Sequence, residues 1–538
     1  MSHQYGKKMG RRQVLKGGLT GAAWLTGASI FPHVTKSLSS QRRRPNIILI
    51  LTDDQNFNTI GAYGGEVLTP HMDSIAQEGI RFTRAYTTSA VCVASRYGLM
   101  SGQFPSRCTH PSFTKAFPKG AQLEPGFNTP LKPDAPNIAS VMKKAGYITG
   151  MVGKWHLGRG MGVNPKERGL KPLPVEQGPL STWVKSRSKI DPSSPKISKI
   201  LEHNHAVFRK EIKECGFDYA ESFYWTNPEG FNDWFLNFHN MEWITKGALD
   251  FINQNRDKAF FLYMNPTLHH IPHPQVSLLK GDPRATVGGY LEKAPDVMPP
   301  RKEIIKRITS AGYAPETAYC TWLDDAIGAI LMKLRELRLE NDTMIIFFSD
   351  HRTWAKSTLY QGGIKVPCMI QWKAEIPSGK ICHELIQSLD FAPTIFEACN
   401  IKKPQNMHID GKSLLSMLKG KKKTVHNELF FELGWTRAVC TLRWKYLALR
   451  YSDSAKKREK RRQQPNYHAP ALEPHQHNVL LSHPAFWEPD QLYDLKVDPH
   501  EVINLSYEPE YRKILNDMKI RLKTWLATFG DHPFGEFV

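Results

Sequence analysis

Cysteine is sparse: eight in 538 residues, at positions 92, 108, 215, 320, 368, 382, 399 and 440. No CxxC pair and no metal-ligand spacing occurs among them, which excludes a zinc ribbon, a thioredoxin-like motif and a disulfide scaffold. An even count still permits disulfides in an exported protein, with no pairing implied. Acidic residues are also short, 51 against 72 Lys and Arg, so the net charge is +21 at pH 7. Such an excess favours anionic partners. Nucleic acid is not expected among them, because no zinc finger, aromatic RNA-binding signature or helix-turn-helix pattern stands out. No run beyond the N-terminal segment approaches transmembrane length, and no internal repeat indicates a solenoid.

The N-terminus has its own logic. Lys7, Lys8, Arg11 and Arg12 precede an uncharged run over residues 17–31. Paired arginines before a modestly apolar run resemble a twin-arginine signal, which exports folded proteins, so a periplasmic or extracellular location is expected. A retained N-terminal membrane anchor is the alternative. Length argues for more than one core. The pattern divides into the signal segment 1–40, a large N-terminal domain 41–425 and a smaller α+β subdomain 426–538.

From residue 45 to about 414 apolar strands alternate with amphipathic helices, which predicts an α/β domain with a mostly parallel sheet. Residues 46–52 (NIILILT) are apolar on both faces, as in a buried parallel strand, and end in Asp53 and Asp54. Residues 344–349 (MIIFFS) repeat the pattern and end in Asp350 and His351. Ligands bind outside the carboxyl ends of strands in open α/β sheets, and adjacent carboxylates there call for a cation. Oxygen ligands favour Ca²⁺ or Mg²⁺. A strand at 146–152 leads to Lys154 and His156, which lie two apart and share a face of a glycine-bounded loop. Another strand, 259–264, leads to His269, His270 and His273. Residues 159–240 read as irregular, substrate-facing loops. Asp324 and Asp325 sit in a helical pattern and are structural. Past residue 414 short strands form an antiparallel meander, followed by a basic, His- and Pro-rich insertion from Lys456 to about Trp487 and a closing helix over 508–529.

Cys92 opens an apolar turn that closes on Gly102. This places it at a helix N-terminus, where free N–H groups and the macrodipole favour negative charge. Arg96, one turn on, adds a fixed cation with a planar donor fork.

Taken in order, residues 46–54, 92–102 (the C-x-[PA]-S-R signature), 153–158 (GKWHLG), 349–367 and 492–505 resemble the type I, formylglycine-dependent sulfatases of the alkaline phosphatase superfamily. Residues 388–394 and 410–414 also match family segments. The resemblance implies an alkaline-phosphatase-like α/β sandwich: a large mixed, mostly parallel sheet flanked by helices, with a smaller C-terminal antiparallel sheet and closing helix. It implies that a maturation enzyme oxidises Cys92 to formylglycine, whose hydrate attacks sulfur on a sulfated carbohydrate or aryl sulfate. Asp53, Asp54, Asp350 and His351 would hold the metal with modified Cys92; position 351 is Asn in many relatives. Arg96 would fix the formylglycine, Lys154 and Lys356 would neutralise sulfate oxygens, and His156 would act on the diol. The leaving-group acid is assigned to His270 through its His-x-Pro pattern, with His269 and His273 as rivals. Two departures stand out. Ala94 replaces the commoner signature proline, a variant associated with a radical-SAM maturation route. Arg352 stands where many relatives have Gly. The alternatives on the same sequence are a phosphomonoester or phosphonate hydrolase of this fold and a non-catalytic binder of sulfated polymer.

Overall fold

The computed structural model describes residues 44–118, 128–158, 169–171, 191–228, 236–450 and 479–530. The arginine pair and apolar run of the N-terminal segment, and most of the basic insertion, lie outside these residues. The elements that position the site are β1 (Asn46–Thr52), α1 (Pro70–Gln77), β2 (Ile80–Tyr86), α2 (Cys92–Ser101), β3 (Ile148–Lys154), α3 (Pro195–Glu214) and β4 (Tyr219–Tyr224). They continue with α4 (Met241–Gln254), β5 (Phe260–Asn265), α5 (Ala318–Glu336), β6 (Thr343–Ser349) and β7 (Lys365–Gln371). The C-terminal part holds β8 (Leu429–Leu433), β9 (Thr436–Cys440), β10 (Trp444–Leu449), β11 (Asp490–Asp494) and α6 (Arg512–Ala527).

The large sheet runs β2-β7-β6-β1-β5-β3-β4, extended beyond β2 by the short strand Lys380–Cys382. Strands β6, β1, β5, β3 and β4 are parallel; β7 runs antiparallel to both β6 and β2. The sheet is therefore mixed and mostly parallel, as expected. Every residue of β1 is buried. Ile47, Leu49 and Leu51 enter the hydrophobic cluster on one face, while Ile48 and Ile50 enter the cluster on the other. That is why β1 reads as a continuous apolar run: a strand covered by helices on both sides has no polar face.

Register does the positioning. Thr52 pairs with Ser349, so the next residues of both strands, Asp53 and Asp350, emerge side by side, and the Asp350 amide donates to Thr52 O at 3.0 Å. On the far side Gly153 of β3 pairs with Asn265 of β5. The Gly153 φ is +82°, and a Cβ there would lie 1.9 Å from Asn265 O, so no other residue fits so close to the neighbouring strand.

The C-terminal meander β8-β9-β10-β11 is antiparallel throughout, as read from the pattern. One of its faces (Phe430, Val439, Tyr446) is covered by Leu515, Met518 and Leu522 of α6. Its opposite face (Phe431, Ala438, Leu447, Tyr493) meets Ala90, Val91 and Ala94 around the start of α2. Residues 43–538 form one compact unit. All eight cysteines are free thiols, and seven are buried. No described helix is long and apolar enough to cross a membrane.

Two expectations need correction. The stretch 159–240 is not irregular throughout: it contains the twenty-residue α3 and strand β4. Ile197, Leu201, Phe208 and Ile212 recur at helical spacing and are buried, but the many Lys and His between them obscured the stripe. Strand β3 also runs on through Gly153 to Lys154, so Lys154 ends a strand and only His156 lies in the following loop. The helical aspartates are structural, as read. Asp324 accepts from the backbone amides of His71 and Met72 at 3.1 and 2.7 Å, capping α1, and Asp325 pairs with Arg307.

Helix α3 also carries a buried histidine. His205 stacks on Phe223 with ring centroids 3.9 Å apart. Burial, helped by Arg209, pushes its pKa down to about 3. The unfolded chain then binds one more proton than the folded one between about pH 6.5 and 3, so stability falls as pH drops through that window. The expected slope from this residue is about 1.4 kcal/mol per pH unit, and urea titrations from pH 7 to 4 of wild type and His205→Phe should differ by that slope.

Candidate active site

The expected site residues arrive from several separate strands and one helix. Asp53 and Asp54 follow β1, Cys92 is the first residue of α2, and Arg96 sits one turn further along. Lys154 ends β3, Asp350 and His351 follow β6, and His270 and Lys356 lie in the loops after β5 and β6. All of them converge at the carboxyl end of the parallel strands. Asp53, Arg96, Lys154, Asp350 and His351 are completely buried.

The centre of the arrangement is a charge network. Arg96 donates from Nε and a terminal nitrogen to Asp350 Oδ2 at 3.2 and 3.0 Å, and from that same nitrogen to Asp53 Oδ2 at 3.3 Å. Its other terminal nitrogen donates to Lys154 O at 3.1 Å. The Lys154 ammonium hydrogen-bonds Asp53 Oδ2. On the open side, Lys356 Nζ donates to Asp54 Oδ2 at 2.7 Å and lies 2.9 Å from His270 Nε2. His351 joins the halves: its Nδ1 is 2.8 Å from Asp54 Oδ1 and its Nε2 is 3.0 Å from Cys92 Sγ. Cys92 Sγ is also 3.9 Å from Asp53 Oδ1.

These neighbours decide the protonation states. Burial opposes the Cys92 thiolate, but Lys154, His351 and Lys356 outweigh it and hold the thiol well below its ordinary pKa. Asp54 is likewise depressed against burial by Lys356, His270 and His351. Asp350 is the exception: burial and the Asp53 charge raise it to about 6. His351 is raised to about 10, because Asp350, Cys92 and Asp54 overcome its burial. His156 moves down through burial and the adjacent Lys154, which keeps its ring neutral and able to accept a proton.

A cation fits this donor set. Ligand atoms of Asp53, Cys92, Asp350 and His351 lie within 4.8 Å of one another, and so do those of Asp53, Asp54 and His270. Asp54 Oδ1 and His351 Nδ1 are both buried and 2.8 Å apart without forming an aligned hydrogen bond, as two ligand atoms turned toward one ion would be. Three carboxylates with one imidazole suit a hard divalent ion.

Of the three candidate histidines, the geometry brings only His270 to this network. His269 packs edge-on against Tyr319, both rings half-buried, and burial lowers its pKa to about 3. His273 precedes the short helix Pro274–Lys280. Supporting residues went unnoticed in the sequence. Ser95 Oγ donates to Asp350 O at 2.6 Å, and Asn227 Nδ2 lies 3.4 Å from His270 Nε2. Ser95 was visible within the signature; Asn227 falls in the stretch read as irregular.

A family model for sulfatases matches residues 45–401. The chain belongs to the sulfatase family. This sulfatase is 26% identical to N-acetylgalactosamine-6-O-sulfatase of Bacteroides thetaiotaomicron, over 94% of its own length and 98% of the relative's. It is 26% identical to human arylsulfatase A, over 91% and 90% of the two chains. Among solved structures, a sulfatase from Pseudoalteromonas sp. superposes with a TM-score of 0.55 at 20% identity, covering 93% of both chains. A Bacteroides thetaiotaomicron protein of glycosaminoglycan metabolism superposes with a TM-score of 0.59 at 21% identity, covering 90% of this chain and 99% of that one. The fold is the alkaline-phosphatase-like sandwich of those neighbours, and the enzyme is a sulfuric ester hydrolase.

Arg96 is the keystone of the network, so its removal has a definite consequence. Arg96→Met leaves Asp53 and Asp350 facing each other without their shared cation, and breaking such a buried pair costs about 3–5 kcal/mol. Chemical denaturation of the variant in metal-free buffer should show a loss of that size.

Proposed function

We propose that this sulfatase releases inorganic sulfate from a sulfated saccharide, with formylglycine made from Cys92 as its nucleophile and Ca²⁺ or Mg²⁺ as its metal. The observation that carries this reading is the setting of Cys92, 3.0 Å from His351 Nε2 at the start of α2, among Asp53, Lys154 and Lys356. Asp53, Asp54, Asp350 and His351 would hold the ion beside residue 92. Formylglycine would supply a hydrated aldehyde as nucleophile, made acidic by the divalent cation.

The remaining steps belong to the chain's own side chains. Lys154 and Lys356 place two fixed ammonium groups where charge grows on the sulfate oxygens. His270 Nε2 is 2.9 Å from Lys356 Nζ, so both face the same bound group. His270 delivers a proton to the leaving oxygen as the ester S–O bond breaks. His156, neutral under the influence of burial and Lys154, takes the proton released when sulfate leaves residue 92. Arg96 moves no proton; its fork holds Asp53 and Asp350 in place.

Three observations favour a saccharide over a simple aryl sulfate. The chain carries a net charge of +21, which attracts polyanions. The B. thetaiotaomicron relative is named for a sulfated amino sugar. A Formosa agariphila relative, 25% identical over 92% of this chain, is named an ulvan-active sulfatase. Aryl sulfates are the second reading, favoured by the arylsulfatase A relative. Export by the twin-arginine route fits maturation before secretion, because that route carries finished proteins. Ala94 in the signature agrees with maturation by a radical-SAM enzyme.

Sulfate release from a panel of sulfated saccharides and 4-nitrophenyl sulfate, followed by ion chromatography, tests the reading. Wild type is expected to turn over saccharide members, and Cys92→Ala to lose roughly a thousandfold or more. Peptide mass of the native protein should show an aldehyde in place of the thiol at position 92. An unmodified Cys92 in fully active enzyme would refute the nucleophile.

A further inference from the structure

The loop bearing Asp350 and His351 continues into Arg352, Thr353 and Trp354. Asn56, two residues beyond Asp54, bonds from Nδ2 to Thr353 Oγ1 at 2.6 Å and so ties the two acidic loops together. Above this tie the Arg352 guanidinium lies 4.9 Å from the Phe57 ring centroid and 5.6 Å from that of Trp354. Trp354 is 42% exposed, which is unusual for so large a ring. The Arg352 Nε donates to Asn56 Oδ1 at 3.4 Å, and its backbone amide is fixed to Gly363 O at 3.0 Å. Its two terminal nitrogens meet no acceptor among the described residues, although the side chain is half-buried.

The surroundings deepen the imbalance. Lys365, at the start of β7, has its pKa lowered by burial and then by the positive charges of Arg84 and Arg352. Glu501 acts on it from a distance but is already engaged, with Lys445 Nζ at 2.5 Å and the Gln361 amide at 2.5 Å. Arg84 lies near the end of β2, whose Tyr86 pairs with Lys365 of β7, and Arg84, Arg352 and Lys365 make no ion pair to any described residue. A structural arginine in such a place normally finds a carboxylate, because unbalanced buried charge is costly. Stacking on Phe57 alone accounts for the aliphatic stem and the ring contact, not for an open donor fork whose geometry matches carboxylate or sulfate.

We propose that Arg352, held between Phe57 and Trp354, forms a second anion subsite that reads a carboxylate or sulfate on the same saccharide whose sulfate ester is cleaved. Trp354 covers an apolar face of the sugar ring, and Arg84 and Lys365 add the field that draws the second anion in. This inference rests on the saccharide reading above.

The test uses the matured enzyme on N-acetylglucosamine 6-sulfate and N-acetylgalactosamine 6-sulfate, each alone, with a second O-sulfate, and linked to a uronic acid. In wild type kcat/KM is higher for the substrates bearing a second anion. In Arg352→Ala the ratio of dianionic to monoanionic kcat/KM falls about tenfold or more, chiefly through KM, as expected for one lost charge-assisted bond pair. Arg352→Lys restores part of the ratio, since charge returns without the fork. The carboxylate and sulfate arms show which anion is read. A purely structural role for Arg352 would lower all substrates together and leave the ratio unchanged, which overturns the subsite alone. Cleavage of 4-nitrophenyl sulfate but of none of these saccharides overturns the saccharide reading and the subsite with it.

Discussion

Three carboxylates at the ends of two neighbouring buried strands are the constraint on which the rest of the structure depends. Asp53, Asp54 and Asp350 are all at least nearly inaccessible to solvent. Taking each ion out of water costs several kcal/mol even after relaxation. The chain answers with cations from three separate places: Arg96 from the second turn of α2, Lys154 from the end of β3, Lys356 from the loop after β6. None of these can move by a residue without losing its partner. The register of β1 against β6, the start of α2 and the close approach at Gly153 are therefore parts of one electrostatic requirement. A cation among the acids extends the same logic, adding positive charge where the three carboxylates lie closest.

Much of this was legible because strands buried on both faces advertise themselves. The runs at 47–51 and 344–348 have no polar residues to hide their burial, and the acids that follow both strands mark the same sheet edge. Cys92 at a helix start and Gly102 as its left-handed end followed from local chemistry, and the Gly102 φ is +70°. What remained hidden depends on contacts distant in sequence. Nothing near His270 says that Lys356 will come within 2.9 Å of it, and the apolar stripe of α3 is masked by the charged residues set among it. The choice of β7 as an antiparallel neighbour of β6 is equally silent, because strand direction leaves no mark on an apolar run. Arg352 appeared in the sequence only as a departure from the family pattern; its placement between two rings is a tertiary fact.

The two loops that carry the acids also show how a common chemistry is given its own character. Asp53 and Asp54 run straight into Asn56 and Phe57, and Asp350 and His351 into Thr353 and Trp354. The inner halves of these loops answer to the charge requirement and have little freedom. Their outer halves are joined through Asn56, which bonds Thr353 and accepts from Arg352, and through the contact of Arg352 with the Phe57 ring. Function-bearing variation on a fixed scaffold is the usual division of labour in α/β enzymes.

The contact between the C-terminal meander and the start of α2 has a temporal side. Ala90, Val91 and Ala94 are covered by Phe431, Ala438, Leu447 and Tyr493, residues that lie more than 330 positions later in the chain. A ribosome-bound chain ending before residue 429 leaves the cysteine stretch without its cover. The interval between synthesis of residue 92 and arrival of the meander is thus a window in which that stretch is open to another protein. The meander, from residue 429 on, supplies that cover last of all.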